Sequence, residues 1–266
     1  MAKELDYLPA FILHTRPFKE NQLLMEMLVA GEGRVSVIGY KGSKKNTAKT
    51  ALMQPFRALV VQVKKSAGLR TLKSVEQNQL LSKQLSALKS KSLFCGFYLN
   101  ELIYRLCSAD AEYETLYPLY VYSLKNLSDL AVIDESDLDV THHGLYLEWI
   151  LRQFEFSLLQ MLGYGVSFES ELSMQQPIVE SLHYQLHVDQ GFMIDAAKPS
   201  SISGKDILAI NKHLNIKLSK ADFIQLDAGR LQELKAELKI AKHILRVCLH
   251  RHLGDKPLKS RELFRK

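Results

Sequence analysis

Near Leu80 the hydrophobic pattern of this chain changes period, and that change limits the folds open to it. Ahead of it, apolar residues form short runs or alternate with polar ones between turn residues. Behind it they recur every three to four positions. A period of two belongs to a half-buried strand and a period near 3.6 to an amphipathic helix, so one segment cannot serve as both. The chain is therefore read as α+β and multidomain, with a β-domain over 1–80 and a helical domain over 81–266.

Five strand-like runs fill the first part: Ala10 to His14, Leu23 to Val29, Arg34 to Ile38, Phe56 to Val63, and Leu69 to Val75. Gly31-Glu32-Gly33 makes a turn, because glycine supplies the positive φ of tight reversals. Short strands in that number and spacing predict a small closed or nearly closed barrel. Helical spacing then runs from Leu93 to Leu106 and from Leu116 to Leu130. Asp134 to His143 reads as an acidic loop. A long helix is predicted from Leu145 to Leu162, stopped by Gly163 and Gly165. Residues 166–200 return to alternation, with His183 to Val188 and Phe192 to Ile194 forming a hairpin. Ser203 with Asp206, and Ser219 with Asp222, open two further helices. The last helix is predicted over Ala228 to Leu253 and ends at Gly254.

Charge is distributed unevenly. Residues 1–80 hold thirteen Lys/Arg against six Asp/Glu, whereas the rest hold twenty-two against twenty-three, so the net +6 belongs to the N-terminal third. Between Gly33 and Val75 stand ten basic side chains and no carboxylate: Arg34, Lys41, Lys44, Lys45, Lys49, Arg57, Lys64, Lys65, Arg70 and Lys73. A solvated face usually mixes signs, so a stretch of one sign points to a polyanion, whose condensed counterions such cations release. About six phosphate contacts would make affinity fall roughly a thousandfold between 50 and 200 mM salt. A small basic barrel also suits single strands, with bases stacked on aromatics such as Phe18 and Tyr40. Phe11 and Phe56 lie inside strand patterns and are read as core. The basic C-terminal segment from Arg246 to Lys266 reads equally as a DNA path or as a solvated tail.

Other classes find little support. No run of eighteen apolar residues exists, so no membrane partner is expected, and the start lacks the signature of a secreted chain. Cys95, Cys107 and Cys248 are far apart and read as buried thiols of a reducing, cytoplasmic compartment. No Walker loop, dinucleotide fingerprint or HExxH motif is present, and the expectation is no enzyme, no cofactor and no metal. His183 and His187 merely share a strand face. Glu148 and Glu155 share a helix face without an acid–base partner in view.

Several segments together resemble the RecO family of bacterial recombination-repair proteins. They are Ala10 to Phe18 with Gly33-Arg34-Val35; Ala51-Leu52-Met53-Gln54-Pro55-Phe56; Gly96-Phe97-Tyr98-Leu99-Asn100-Glu101-Leu102; Arg152-Gln153-Phe154-Glu155 running into Leu162-Gly163-Tyr164-Gly165; and Lys256 to Arg261. The resemblance implies an N-terminal OB-fold and a helical domain with a small β insertion. It implies a nucleoid-associated recombination mediator that binds single- and double-stranded DNA and anneals complementary strands. With RecR, it would assist RecA loading onto DNA coated by single-stranded DNA-binding protein. The acidic, Phe-ended C-terminal tail of that coating protein would dock on the helical domain. Arg152 is the position the resemblance implies for the tail carboxylates, with Lys205 and Lys212 on the next helix as further candidates. Some members carry four cysteines in the region matching 166–195; this chain has none there, so packing must hold the insertion. The competing readings are an RNA-binding OB-fold protein, a nuclease or glycosylase, and an adaptor for which DNA contact is incidental.

Overall fold

A computed structural model of the chain describes residues 6–40, 51–64, 69–131, 140–188, 190–195 and 201–265. The chain forms two compact units, one of Met1–Val132 with Pro257–Lys266 and one of Ile133–Lys256. The first therefore contains, besides the barrel, two long helices and the C-terminal segment.

Five strands close that barrel in the order β1-β2-β3-β5-β4: β1 Leu8–Phe18, β2 Gln22–Val29, β3 Gly33–Tyr40, β4 Leu59–Lys64 and β5 Arg70–Gln77. All neighbours are antiparallel except β3 and β5, whose parallel pairing closes the barrel. Alternation sends Ile12, Met25, Met27, Val35, Val37, Val61 and Leu72 inward, and they form its core. This is the small barrel expected from the alternating runs. Residues 56–58 do not join β4. Phe56 is half-buried against Phe97, with ring centroids 5.0 Å apart.

A one-turn helix α1 (Gln79–Ser82) leads to α2 (Ser90–Leu106) and α3 (Leu116–Ala131). The segment Gly96 to Leu102 shows why its residue types are needed. A Cβ on Gly96 would stand 2.8 Å from the Phe56 ring and 2.7 Å from Leu88. The β1 register shifts between Ile12 and His14, and Asn100 donates to the Leu13 carbonyl there at 3.0 Å. Tyr120 completes Asn100 by donating to its Oδ1 at 2.6 Å. Glu101 accepts from the Lys259 amide (3.0 Å), the Ser260 amide (2.8 Å) and the Ser260 hydroxyl (2.6 Å). Together with buried Leu258 and a Phe94–Phe264 ring contact at 5.7 Å, this docks the 3₁₀ helix Lys259–Arg265. The C-terminal segment is thus packed structure rather than a loose tail.

The second unit is built on α4 (Val140–Met161). Its helix starts earlier than the sequence pattern suggested, taking in residues 140–143; residues 134–139 lie outside the described ones. Gly163, at φ +75°, ends it, and the Tyr164 amide reaches back to the Leu159 carbonyl at 2.9 Å. The hairpin β6 (His183–His187) and β7 (Gly191–Asp195) forms as read, with a third strand, β8 (Ile202–Ser203), that the pattern did not disclose. Without cysteines, the insertion is held by Phe168 set edge-on to Phe156 and Phe192 at 5.5 and 5.4 Å. Glu171 adds to this by accepting from the Ser173 hydroxyl (2.6 Å), the Ser173 amide (2.7 Å) and the Met174 amide (2.6 Å). These bonds, the hydroxyl first, hold its carboxyl below the usual range.

Ser203 caps α5 (Gly204–Asn215), and Ser219 with Asp222 closes a full capping box on α6 (Lys220–Ile224). α7 (Ala228–Leu253) ends at Gly254, as read. Buried Trp149 and Gln153 of α4 donate to the His213 and Ile216 carbonyls at 3.3 and 2.8 Å, tying α4 to the end of α5. All three cysteines are buried and none is in a disulfide. Burial pushes the Cys107 thiol up to about 12, against the opposing pull of Arg34. Among the described residues no helix is long and apolar enough to cross a membrane, and no three His, Cys, Asp or Glu side chains are grouped to hold a metal.

Candidate nucleic-acid interface

The structure separates the ten cations of the carboxylate-free stretch into distinct groups. Lys41, Lys44, Lys45, Lys49 and Lys65 lie outside the described residues. Arg34 and Arg70 depart from the sequence expectation, because each is spent on internal structure. Arg34 Nη1 meets Glu26 at 2.6 Å and its Nε donates to the Cys107 carbonyl at 2.9 Å, while its guanidinium lies 5.3 Å from the Tyr104 ring. Arg70, on the inward side of β5, pairs with Glu32 and with Asp110 at 2.7 Å. Glu26 and Glu32 precede the stretch and Asp110 follows it, so the sequence interval contained no sign of these pairs. Gly33 belongs to the same staple: at φ +69°, a Cβ there would stand 2.0 Å from the Ala111 carbonyl oxygen. Arg57 is exposed beyond the start of β4, beside a cleft of about 330 Å³ lined by Phe56, Gln77, Ser86 and Leu93.

Lys64 and Lys73 share a surface that the register defines. Arg16 pairs with Leu24, Leu24 with Ile38, Ile38 with Thr71, and Thr71 with Lys64. Register partners point to one side of a sheet, and their inward neighbours Met25, Val37 and Leu72 are core, so this row runs round the outside of the closed barrel through all five strands. Arg16 and Lys64, both exposed, stand at its ends, with Leu24 buried and Ile38 half-buried between them. Lys73 is the extra residue of a β-bulge, since Gln62 pairs with Ser74 but Val63 with Leu72; the bulge turns its exposed side chain beside the row. One step up the strands, Phe18 pairs with Gln22 and Gln22 with Tyr40. The two aromatics singled out in the sequence thus flank one residue, about 10 Å apart across two strand spacings. Tyr40 is 52% exposed, and the Lys19 ammonium lies 5.7 Å from the Phe18 ring centroid.

Part of the β1–β3 outer face is covered. Phe11 is fully buried against Tyr117 and Tyr120, and His14 meets Tyr104. Arg16, Lys19, Lys64 and Lys73 are all exposed on the barrel, Arg16 and Lys19 towards the Phe18 end of β1; Glu20, exposed in the β1–β2 turn, is the acid nearest to Lys19 in sequence. Arg16 and Lys19 were missed by counting charge within Gly33–Val75. Only the register of β1 against β2 brings them in.

On the second unit the three tail-docking candidates also separate. Arg152 is 6% exposed and lies between two carboxylates of its own helix, Glu155 at 2.7 Å and Glu148 at 3.5 Å. It is the partner that Glu148 and Glu155 lacked in the sequence reading, and it is already occupied. Lys205 and Lys212 are exposed, and seven residues apart they share a face of α5 with exposed Ile216 beyond its end.

Comparison with known proteins agrees with this architecture. The family model for the recombination protein O N terminal matches residues 6–80, and that for its C terminal matches residues 89–262. A DNA repair protein RecO from Pseudoalteromonas translucida is 35% identical over 259 residues, covering 97% of both chains. The like-named proteins of Cellvibrio japonicus and Alteromonas mediterranea are 32% and 33% identical, each covered at 97%, over 98% and 97% of this chain.

Proposed function

The chain belongs to the RecO family of DNA repair and recombination proteins, and from that premise we propose that it is a non-catalytic mediator that binds single- and double-stranded DNA on its barrel and anneals complementary strands. The observation that carries this is the outer row from Arg16 to Lys64, cationic at both ends and apolar between, with Phe18 and Tyr40 above it. Phosphates of a strand following that row round the barrel would meet Arg16, Lys19, Lys64 and Lys73, and bases would stack on the two rings. The lysines at 41, 44, 45, 49 and 65 would add to the same charge. Neutralising phosphates weakens the repulsion between two complementary strands, so annealing needs no nucleotide and no chemical step.

The helical unit would bring the protein to coated DNA. Lys205 and Lys212 offer cations along one face of α5, next to the apolar Ile216, for the acidic, aromatic-ended tail of a single-stranded DNA-binding protein. Arg152, held between Glu148 and Glu155, would brace α4 rather than touch the tail. RecR would join the complex for RecA loading.

A salt titration tests the DNA reading. Binding of a labelled oligonucleotide is measured between about 50 and 300 mM salt for the wild type and for R16E/K64E/K73E. The slope of log affinity against log salt should fall by about 2, since each lost single-strand phosphate contact removes about 0.7. An unchanged slope refutes the barrel face. A matched RNA oligonucleotide that outcompetes DNA would favour the RNA-binding reading instead.

A further inference from the structure

The outward side of α7 carries a second cationic surface, on the other compact unit and made of no barrel residue. At 3.6 residues per turn, Lys235, Lys239, Lys242, His243, Arg246 and His250 fall within an arc of roughly 100°. All six are exposed, whereas Leu234, Leu238, Ala241, Leu245 and Cys248 bury the opposite side. No carboxylate of the helix enters that arc. Glu233 is taken by Arg230 at 2.5 Å, and buried Glu237 faces His213 at 2.6 Å. Lys242 meets Glu148 at 3.1 Å in an exposed pair, worth at most about 1 kcal/mol and easily exchanged. Lys235, Lys239 and Arg246 enter none of the ion pairs among the described residues.

This arrangement works against the isolated helix. Lys235 and Lys239, and likewise Lys242 and Arg246, are like charges at i,i+4, each pair destabilising by a few tenths of a kcal/mol. A face kept only for solubility gains more from Glu–Lys pairs at that spacing. A polyanion laid along the stripe relieves the repulsion. From Lys235 to His250 the helix rises about 22 Å, the length of six or seven phosphates at 3.4 Å per strand step. An acidic peptide would need apolar anchors beside the charges, and between Lys235 and His250 no position in the arc supplies one.

We propose that α7 is a second strand-binding surface that takes the phosphodiester backbone of single-stranded DNA, so that one molecule holds one strand on the barrel and another on this helix. The proposal rests on the barrel reading for the first strand and assigns a separate place to the second. Two strands held by two cationic surfaces of one protein meet at a raised local concentration, which is what annealing requires.

The test uses the full chain and its K235E/K239E/R246E variant. Native mass spectrometry counts oligonucleotides bound per protein, and strand annealing is timed at about 50 mM salt. The wild type should bind two strands and the variant one, with the remaining affinity within about twofold and annealing slowed at least about tenfold. A single strand on the wild type, or two strands and unchanged annealing in the variant, overturns the proposal. So does a variant that keeps both strands but loses an acidic peptide, since the stripe is then a peptide site. The barrel variant R16E/K64E/K73E separates the two readings. If it keeps its first strand at wild-type affinity, the barrel reading fails while the α7 result stands on its own count.

Discussion

The covered and uncovered parts of the barrel's outer surface are made from the same strands and the same residue types, yet they use their cations in opposite ways. Under α2 and α3, Arg34 sits among Glu26, the Cys107 carbonyl and the Tyr104 ring. Nearby, Arg70 is drawn between Glu32 and Asp110. On the open part, Arg16, Lys64 and Lys73 reach into solvent beside Phe18 and Tyr40. Burial separates the two roles. A guanidinium taken out of water must find carboxylates, and once it has them it is no longer available to a phosphate. Positive charge in a sequence thus marks two different things, a staple and a face left in solvent.

The largest effect that would break this contrast belongs to the staples. Arg34→Ala leaves Glu26 buried beside an empty place and should cost about 3 kcal/mol in urea unfolding. The folded fraction should keep its DNA affinity within about twofold; a large affinity loss without a stability loss would make Arg34 a ligand after all. Reversing the open face with R16E/K64E/K73E should do the opposite, lowering single-strand affinity about a hundredfold at low salt while the unfolding midpoint stays put. An equal loss of stability would erase the distinction.

Tyr40→Ala sharpens it further. Stacking is worth about 1–3 kcal/mol per base, so a tenfold loss is expected for single strands. Duplex DNA, whose bases are not free to stack, should lose far less. Equal losses on both would take Tyr40 out of the stacking role.

The smallest effect concerns a staple of the second unit. Burial pushes Glu237 up, but His213 and Arg230 outweigh it and hold the carboxyl below its ordinary value. A depressed carboxylate contributes stability that is present above its unfolded value and is lost as pH falls through the folded one. Glu237→Gln should therefore lower stability near neutrality and flatten its decline on the acid side, read as urea midpoints between about pH 7 and pH 4. A decline as steep as in the wild type would assign the acid loss to other groups.

The segments that carried the family resemblance prove to be mostly such staples. Gly33 makes room for Ala111, Asn100 satisfies the carbonyl exposed at the β1 bulge, Glu101 docks the C-terminal segment, and Arg152 bridges two glutamates. Buried polar groups must be paired, and that need fixes residue type more tightly than a solvated face does. The motifs therefore located the fold well and said little about the exposed cations. Arg16 lies inside the Ala10–Phe18 segment and Lys19 just beyond it, yet neither carried a signal of its own.

The sequence by itself determined the periods of the elements, hence a five-stranded barrel ahead of helices, the hairpin over 183–195, the caps at Ser203 and Ser219, and the end of α7 at Gly254. These are local matters, decided by spacing and by hydrogen bonds within a few residues. Only the tertiary structure decided which cations are spent inside the fold, because Arg34 and Arg70 find their carboxylates through strand register and packing while Arg16 and Lys64 stay exposed. Charge is written residue by residue, but its availability depends on what the fold places beside it.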